Sequence, residues 1–295
     1  MKLSHCASIV ATFIAPCILA SQVFAQAPAS PPVTPWPKDD AGLKTLGTTL
    51  IKDWFAKIVA NDASGVAASM QPCMQLVAFD GATDFALSMP RIVAIATKSP
   101  EITDVIATRC GDALVTTCLV AAGQVFEGES LSKDAVARIG VWQFVDGSWK
   151  IAAWASLSMP ATRPATSAPK FPGDATLNAE GQAMLAKFLK FQQTKDMKPF
   201  DAMLADGMQV VNFKGQLVRA DLIKGASRAK TQPAVITDAR ATRCGDLTVV
   251  SCNLSMGQTV GFTSLPADSV PFIAVFQGTG DTAKVIAIGN TNKPK

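Results

Sequence analysis

One hexapeptide occurs twice. Ala107-Thr108-Arg109-Cys110-Gly111-Asp112 returns letter for letter as Ala241-Thr242-Arg243-Cys244-Gly245-Asp246, 134 residues further on. It offers a guanidinium, a thiol and a carboxylate. Arg109 and Arg243 could clamp an anion through paired N–H donors, or pair with a carboxylate on a neighbouring strand. Asp112 and Asp246 follow glycine, where Asp bonds nearby backbone and tolerates unusual dihedrals. Just upstream, Asp104 and Asp238 recur at the same spacing. Buried in a pocket, a lone Asp with a raised pKa could act as a general base. Placed at a strand edge, it would only balance a nearby charge. Asp104 and Asp238 are the weak catalytic candidates.

Other chemistry is excluded by residue type. The only histidine is His5, and tyrosine is absent. General base work near neutral pH most often uses His, so the chain leans away from catalysis. A Ser-His-Asp arrangement has no imidazole to use. No Cys-x2-Cys pair and no phosphate-cradling glycine loop is present, so neither a metal nor another cofactor is expected. The net charge of +4 is spread along the chain, without the basic stripe that nucleic-acid binding needs.

Residues 1–25 read as a secretory leader. Lys2 supplies positive charge, and an apolar run over 9–20 is too short to span a bilayer comfortably. Val23-Phe24-Ala25 has the small-residue character of a cleavage site. Removal of the leader takes away Cys6, Cys17 and His5, and places the protein in the periplasm or outside the cell. In that oxidising space Cys73, Cys110, Cys118, Cys244 and Cys252 would tend to pair. The duplicated Cys-x7-Cys suggests one bridge per repeat, Cys110 with Cys118 and Cys244 with Cys252. Strand rise objects, since five residues along a strand span roughly 17 Å and a disulfide needs Cα atoms within about 7 Å. An irregular loop, partners elsewhere or free thiols stay open.

Positioning elements follow from periodicity. Residues 26–38, rich in Pro and Ala, read as a disordered tether. Leu43, Leu46, Leu50, Trp54 and Ile58 lie on one helical face, after Asp39 or Asp40 as N-cap. A short helix over 64–70, a strand over 73–79 and a helix over 85–97 follow. Strands over 101–109 and 113–126 flank Gly111-Asp112. Strands over 135–145 and 148–157 flank Asp146-Gly147, a strong hairpin signal. A linker over 159–173 holds four prolines. The pattern then starts again without a gap. Gln209 echoes Gln75, Gln258 echoes Gln124, and Gln277 echoes Gln143. The chain is a duplicated domain, 39–158 and 174–293, of the α+β class.

The unit resembles the nuclear transport factor 2-like superfamily in its polyketide-cyclase-like (SnoaL-like) branch. The resemblance is carried by a long first helix ending at Asp62 (Asp196) and by Phe79-Asp80-Gly81 (Phe213-Lys214-Gly215). A hairpin at Arg109-Cys110-Gly111-Asp112 and a final strand with Trp149-Lys150-Ile151-Ala152-Ala153-Trp154 complete it. It implies two cones, each a curved, mainly antiparallel sheet wrapped on about three helices. It also implies packing of the two domains as an intramolecular pseudo-dimer. Trp54, Phe79, Trp142, Trp154, Phe188, Phe213 and Phe276 then become candidates for lining ligand-binding cones. Three functions are compatible with this fold. The first is non-catalytic binding of a small apolar or amphipathic ligand. The second is an isomerase, dehydratase or cyclase using a pocket Asp. The third is an envelope interaction module using the outer sheet face or the groove between domains.

Overall fold

The structure is a computed structural model that describes residues 36–126, 128–131, 133–160 and 167–294. The leader expected over 1–25, the part of the expected tether before residue 36 and residues 161–166 of the expected linker lie outside the described residues.

In the first repeat, α1 (Asp40–Val59) and α2 (Ala63–Ala68) precede β1 (Met70–Ala78), β2 (Gly81–Asp84) and α3 (Phe85–Ala94). Then come β3 (Ala96–Cys110), β4 (Ala113–Phe126), β5 (Glu129–Ser130), β6 (Val136–Val145) and β7 (Ser148–Ser156). The second repeat runs α4 (Ala175–Thr194), α5 (Met197–Ala202), β8 (Leu204–Asn212), β9 (Gly215–Val218) and α6 (Arg219–Arg228). It continues with β10 (Lys230–Thr231), β11 (Val235–Cys244), β12 (Leu247–Ser255), β13 (Gln258–Val260), β14 (Thr263–Leu265), β15 (Ser269–Gln277) and β16 (Lys284–Asn290).

Local chemistry explains these elements. Asp39 and Asp174 cap α1 and α4, accepting from the amides of Gly42 and Leu177 at 2.7 and 2.8 Å. Each long helix buries one stripe, Ile51, Trp54, Phe55 and Ile58 in α1, and Leu185, Phe188 and Leu189 in α4. Each lies close on a strand through a glycine. A Cβ on Gly47 would meet that of Ala107 at 2.8 Å, and one on Gly181 would meet that of Ala241 at 2.8 Å. At Asp146-Gly147 both residues have positive φ, 52° and 79°, as a two-residue hairpin requires.

The strand orders match. One sheet runs β2-β1-β7-β6-β4-β3, with β5 on β4, and the other runs β9-β8-β16-β15-β12-β11. Only β1 with β7 and β8 with β16 are parallel; the remaining described pairs are antiparallel. The α+β expectation of a strongly curled sheet around helices is met. Bulges after Thr103 and Thr237 bend β3 and β11. The two structures differ where β4 is continuous but its counterpart breaks at Met256-Gly257 into β12 and β13. There β10, β13 and β14 form a separate three-stranded ribbon.

The outer faces of the two sheets pack on each other. Val115, Ile139, Val141 and Ala153 share a buried cluster with their repeat mates Val249, Ile273, Val275 and Ala287. Polar clamps run both ways across this apolar layer. Gln75, fully buried, donates to the Val249 carbonyl at 2.9 Å and to Thr242 Oγ1 at 3.1 Å. Its mate Gln209 donates to the Val115 carbonyl at 2.9 Å and to Thr108 Oγ1 at 2.8 Å. Gln209 also accepts from Thr117 Oγ1 at 2.6 Å. The mate of that last bond is missing, because Gln75 Oε1 and Ser251 Oγ have no partner among the described residues.

The cysteine expectation needs correction. The disulfide joins Cys73 of β1 to Cys244 of β11, across the domains, with Cα atoms 5.6 Å apart. Pairing within a repeat fails on register. Cys110 lies opposite Ala113, whereas Cys118 lies opposite Arg138, five residues along β4. Cys244 lies opposite Leu247, and Cys252 lies opposite Phe272. Cys110, Cys118 and Cys252 are buried free thiols. The symmetry mate of the bridge is Gly207 beside Cys110, where a Cβ would lie 3.1 Å from the Cys110 sulfur.

Two segments expected to be loose are held at their described ends. Trp36 of the tether packs edge-on against Trp149 with ring centres 5.0 Å apart. In the linker, Phe171 is buried in the domain interface and its carbonyl accepts from Arg240 Nε at 2.9 Å.

Replacing Gln209 with Ala removes the side-chain donor to the Val115 carbonyl and the acceptor of the Thr117 hydroxyl proton in the interface, and should cost about 2–4 kcal/mol. Gln75→Ala should cost less by about 1 kcal/mol, since its Oε1 has no bond to lose. Urea unfolding of both variants checks this. Equal midpoints, or a loss below about 0.5 kcal/mol for Gln209→Ala, would show that the clamps are idle.

Candidate functional site: two cones built from equivalent residues

Each sheet curls around its helices and leaves a cavity on its concave side. Position by position, the two cavities are the same place. Trp54, Phe79, Arg91, Arg138 and Trp154 line the first, and Phe188, Phe213, Gly225, Phe272 and Ile288 line the second. All five pairs are 134 residues apart.

Their contents differ. The first cavity measures about 70 Å³ and the second about 290 Å³. The difference follows from side-chain volume. Trp54 and Trp154 fill space that Phe188 and Ile288 leave empty, and Ile92 of α3 and Ile95 just after it stand where the second repeat has Ala226 and Ala229. In the first cone Trp154 is packed by Trp54, Phe55 and Trp142, with ring centres 6.2, 6.3 and 6.2 Å away. Such tilted and edge-on aromatic contacts favour a filled, rigid base. The second cone keeps an apolar floor of Phe188, Met256, Phe272 and Ile288. Its rim carries Lys214, Lys224 and Arg228, all exposed, beside Asp221.

Of the aromatic candidates, Trp54, Phe79 and Trp154 line the first cavity, and Phe188 and Phe213 line the second. Trp142 and Phe276 line neither. Both are fully buried core residues, and the Trp142 indole donates to Thr116 Oγ1 at 2.9 Å.

The catalytic candidates are placed elsewhere. Asp104 and Asp238 are exposed residues in the two bulges, with positive φ of 50° and 55°, and they line neither cone. Asp readily takes this left-handed conformation, which suffices to explain its recurrence there. The two hexapeptide arginines also stay outside. Arg243 pairs with Glu180 of α4 through two bonds of 2.9 and 3.0 Å. Arg109 bonds the Gly111 carbonyl at 2.8 Å and stands 4.4 Å over the Trp36 ring. The neighbouring-strand carboxylate expected for them is instead a helical Glu in one copy and an indole in the other.

The hexapeptide works at the domain interface. Thr108 and Thr242 receive the glutamine clamps, and Cys244 forms the bridge. Asp246 accepts from Gln143 of the first domain at 3.1 Å. Gly111 has φ of 55°, and a Cβ there would strike the Gln277 amide at 2.2 Å. The residues missed by sequence reasoning are Arg138 and its partner Gln124. A lone Arg within the apolar run Val136-Ala137-Arg138-Ile139-Gly140-Val141 was the available signal.

No group of His, Cys, Asp and Glu residues suited to a metal ion occurs among the described residues. No helix among them is long and apolar enough to cross a membrane.

The strand order, the single parallel pair per sheet and the helix across each concave face make each half a nuclear transport factor 2-like fold. No family model matches the chain, and no curated protein matches it. Solved structures do align with it. One is a nuclear transport factor 2-like protein from Cytophaga hutchinsonii, at 15% identity, covering 38% of this chain and 94% of that one, with a TM-score of 0.36. Another, from Rhodospirillum rubrum, is described as a nuclear transport factor 2-like protein of unknown function in nutrient uptake. It aligns at 14% identity over 37% of this chain and 94% of its own, with a TM-score of 0.35. A Nostoc punctiforme protein of unknown function with a cystatin-like fold aligns at 10% identity over 39% and 89%, with a TM-score of 0.30.

Burial pushes the thiols of Cys110, Cys118 and Cys252 up to about 12. The reactive species is the thiolate, so Cys110, Cys118 and Cys252 should not react with a disulfide reagent at pH 8 in the native protein, whereas unfolding should make all three reactive. The folded state holds these protons to higher pH than the unfolded chain, so stability should fall as pH rises from about 9 toward 12. A native thiol that titrates rapidly at pH 8 would contradict this burial.

Proposed function

We propose that the protein is a non-catalytic binder whose second cone takes a small amphipathic molecule with an apolar body and an anionic head. One observation carries the reading: the 290 Å³ cavity joins an apolar floor to a rim of Lys214, Lys224 and Arg228, with only Asp221 opposing them. Those three cations have no ion pair among the described residues. Binding pockets of this kind use apolar burial for affinity and a few polar groups for orientation. A pocket-Asp enzyme draws no support, since Asp104 and Asp238 line neither cavity. An envelope interaction module on the outer sheet faces draws no support, since these cover each other. Export to the periplasm or beyond belongs to the same reading. The leader pattern over 1–25 and a disulfide between the domains support it.

The test uses 8-anilinonaphthalene-1-sulfonate, with octyl sulfate as competitor. The full chain should bind it saturably with one enhanced-fluorescence site. Ala226→Ile combined with Ala229→Ile restores the first cone's side chains, and should weaken binding by at least about tenfold. Lys214→Gln with Lys224→Gln should weaken it less and reduce its salt dependence. Saturable binding that ignores both pairs of substitutions, or no binding at all, would sink the assignment.

A further inference from the structure

The first cone holds a charge that its twin lacks. Arg138 of β6 is 5% exposed and lines the 70 Å³ cavity. No carboxylate pairs with it among the described residues. Its Nη2 donates to Gln124 Oε1 at 2.8 Å, and its guanidinium lies 5.2 Å from the centre of the Phe55 ring. Its Nε has no partner. A second guanidinium, Arg91 of α3, lines the same cavity. Arg91 Nη2 is paired with Asp80 at 2.6 Å, but its buried Nη1 is unpartnered. Two buried N–H donors, on two elements that line one small cavity, thus have no hydrogen-bond partner among the described residues.

The second repeat serves as an internal control for what the fold needs. At the Arg138 position it has Phe272, and at the Arg91 position Gly225. The polar pair beneath is kept: Gln124 donates to Thr97 Oγ1 at 3.1 Å, and Gln258 donates to Thr231 Oγ1 at 3.3 Å. The scaffold thus forms without either guanidinium. Burying a charge with no counter-charge is unfavourable, and the same wall position accepts an apolar ring. Stability of the cone does not call for Arg138.

We propose that Arg138, oriented by Gln124 and assisted by Arg91, makes the first cone a receptor for a small carboxylate. A planar carboxylate matches the geometry of a guanidinium fork. A cavity of about 70 Å³ admits little more than the head and one or two carbons. Burial lowers the Arg138 pKa only to about 10, so the side chain stays charged at neutral pH. The walls of Trp54, Trp154 and Phe126 exclude water around the pair and strengthen it. The assignment does not rest on the ligand proposed for the second cone.

The test titrates the full chain with sodium formate, acetate, propionate and butyrate, holding ionic strength constant with sodium chloride. Acetamide is the neutral control. Thermal shift and the fluorescence of the cavity tryptophans are the readouts, with equilibrium dialysis of labelled acetate giving stoichiometry. One saturable site is expected, with no response to acetamide and a decline once the chain outgrows the cavity. Arg138→Gln should weaken binding by at least about tenfold. Arg138→Met, free of carboxylate, should melt no lower than the parent, because an uncompensated charge has been removed. Dialysis of the unaltered protein decides the matter even if a variant fails to fold. Absence of saturable acetate binding, or an equal response to chloride, overturns the assignment. So does a large drop in melting temperature for Arg138→Met without a carboxylate response in the parent.

Discussion

The molecule depends on the need to cover two apolar sheet faces. Each curled sheet buries its concave side on its own helices and leaves its convex side rich in Val, Ile and Ala. Exposed in water, that surface would be costly at about 25 cal/mol for each Å². Duplication supplies the cover within one chain. Because the same residues meet from both sides, one set of substitutions serves both halves. Val115 with Val249 and Ile139 with Ile273 show that economy. Buried glutamines then add direction to a layer that apolar contact alone would let slide. Each amide reaches a backbone carbonyl of the opposite sheet, so a slip in register would leave both unsatisfied.

Once the convex faces are committed to each other, only the concave sides are free to diverge. They have done so in opposite directions. The first cone is filled with indole rings and carries a guanidinium that no carboxylate pairs with among the described residues. The second is emptied by smaller side chains and lined with apolar groups under a cationic rim. The backbone scaffold, including the Gln–Thr pair beneath, is shared. Two pockets of different chemistry on one scaffold are what a duplicated domain can offer that a single copy cannot. Symmetry is also broken at the interface, where one cystine faces a Gly207–Cys110 position with a single sulfur.

Much of this was legible in the residues. The repeat, the order of elements and the hairpins at Gly111-Asp112 and Asp146-Gly147 follow from local rules. Turn chemistry and helix periodicity act over a few residues, and β4 over 113–126 lies where its Val- and Thr-rich run predicts. Five of the seven aromatic candidates line a cone. Trp142 and Phe276 do not, because alternation places a residue on the concave face but says nothing of its depth. Arg138 was visible as a lone charge in an apolar strand, yet burial without a counter-charge cannot be read from one strand. It requires knowing which residues of α1, α3, β4 and β7 surround it.

The sequence by itself determined that one α+β unit was copied whole, with its caps, turns and alternating strands, because those features depend on neighbours a few positions away. Tertiary structure alone decided what the recurring Arg-Cys-Gly-Asp hairpin is for. Asp104 and Asp238 became bulge residues and the arginines found a glutamate and an indole. Cys244 chose Cys73, 171 residues away, over Cys252 on the adjacent strand. The reason is geometric. A disulfide, a clamp across two sheets and the volume left inside a cone each depend on distances between segments far apart in the chain, and strand rise and helix pitch do not carry that information.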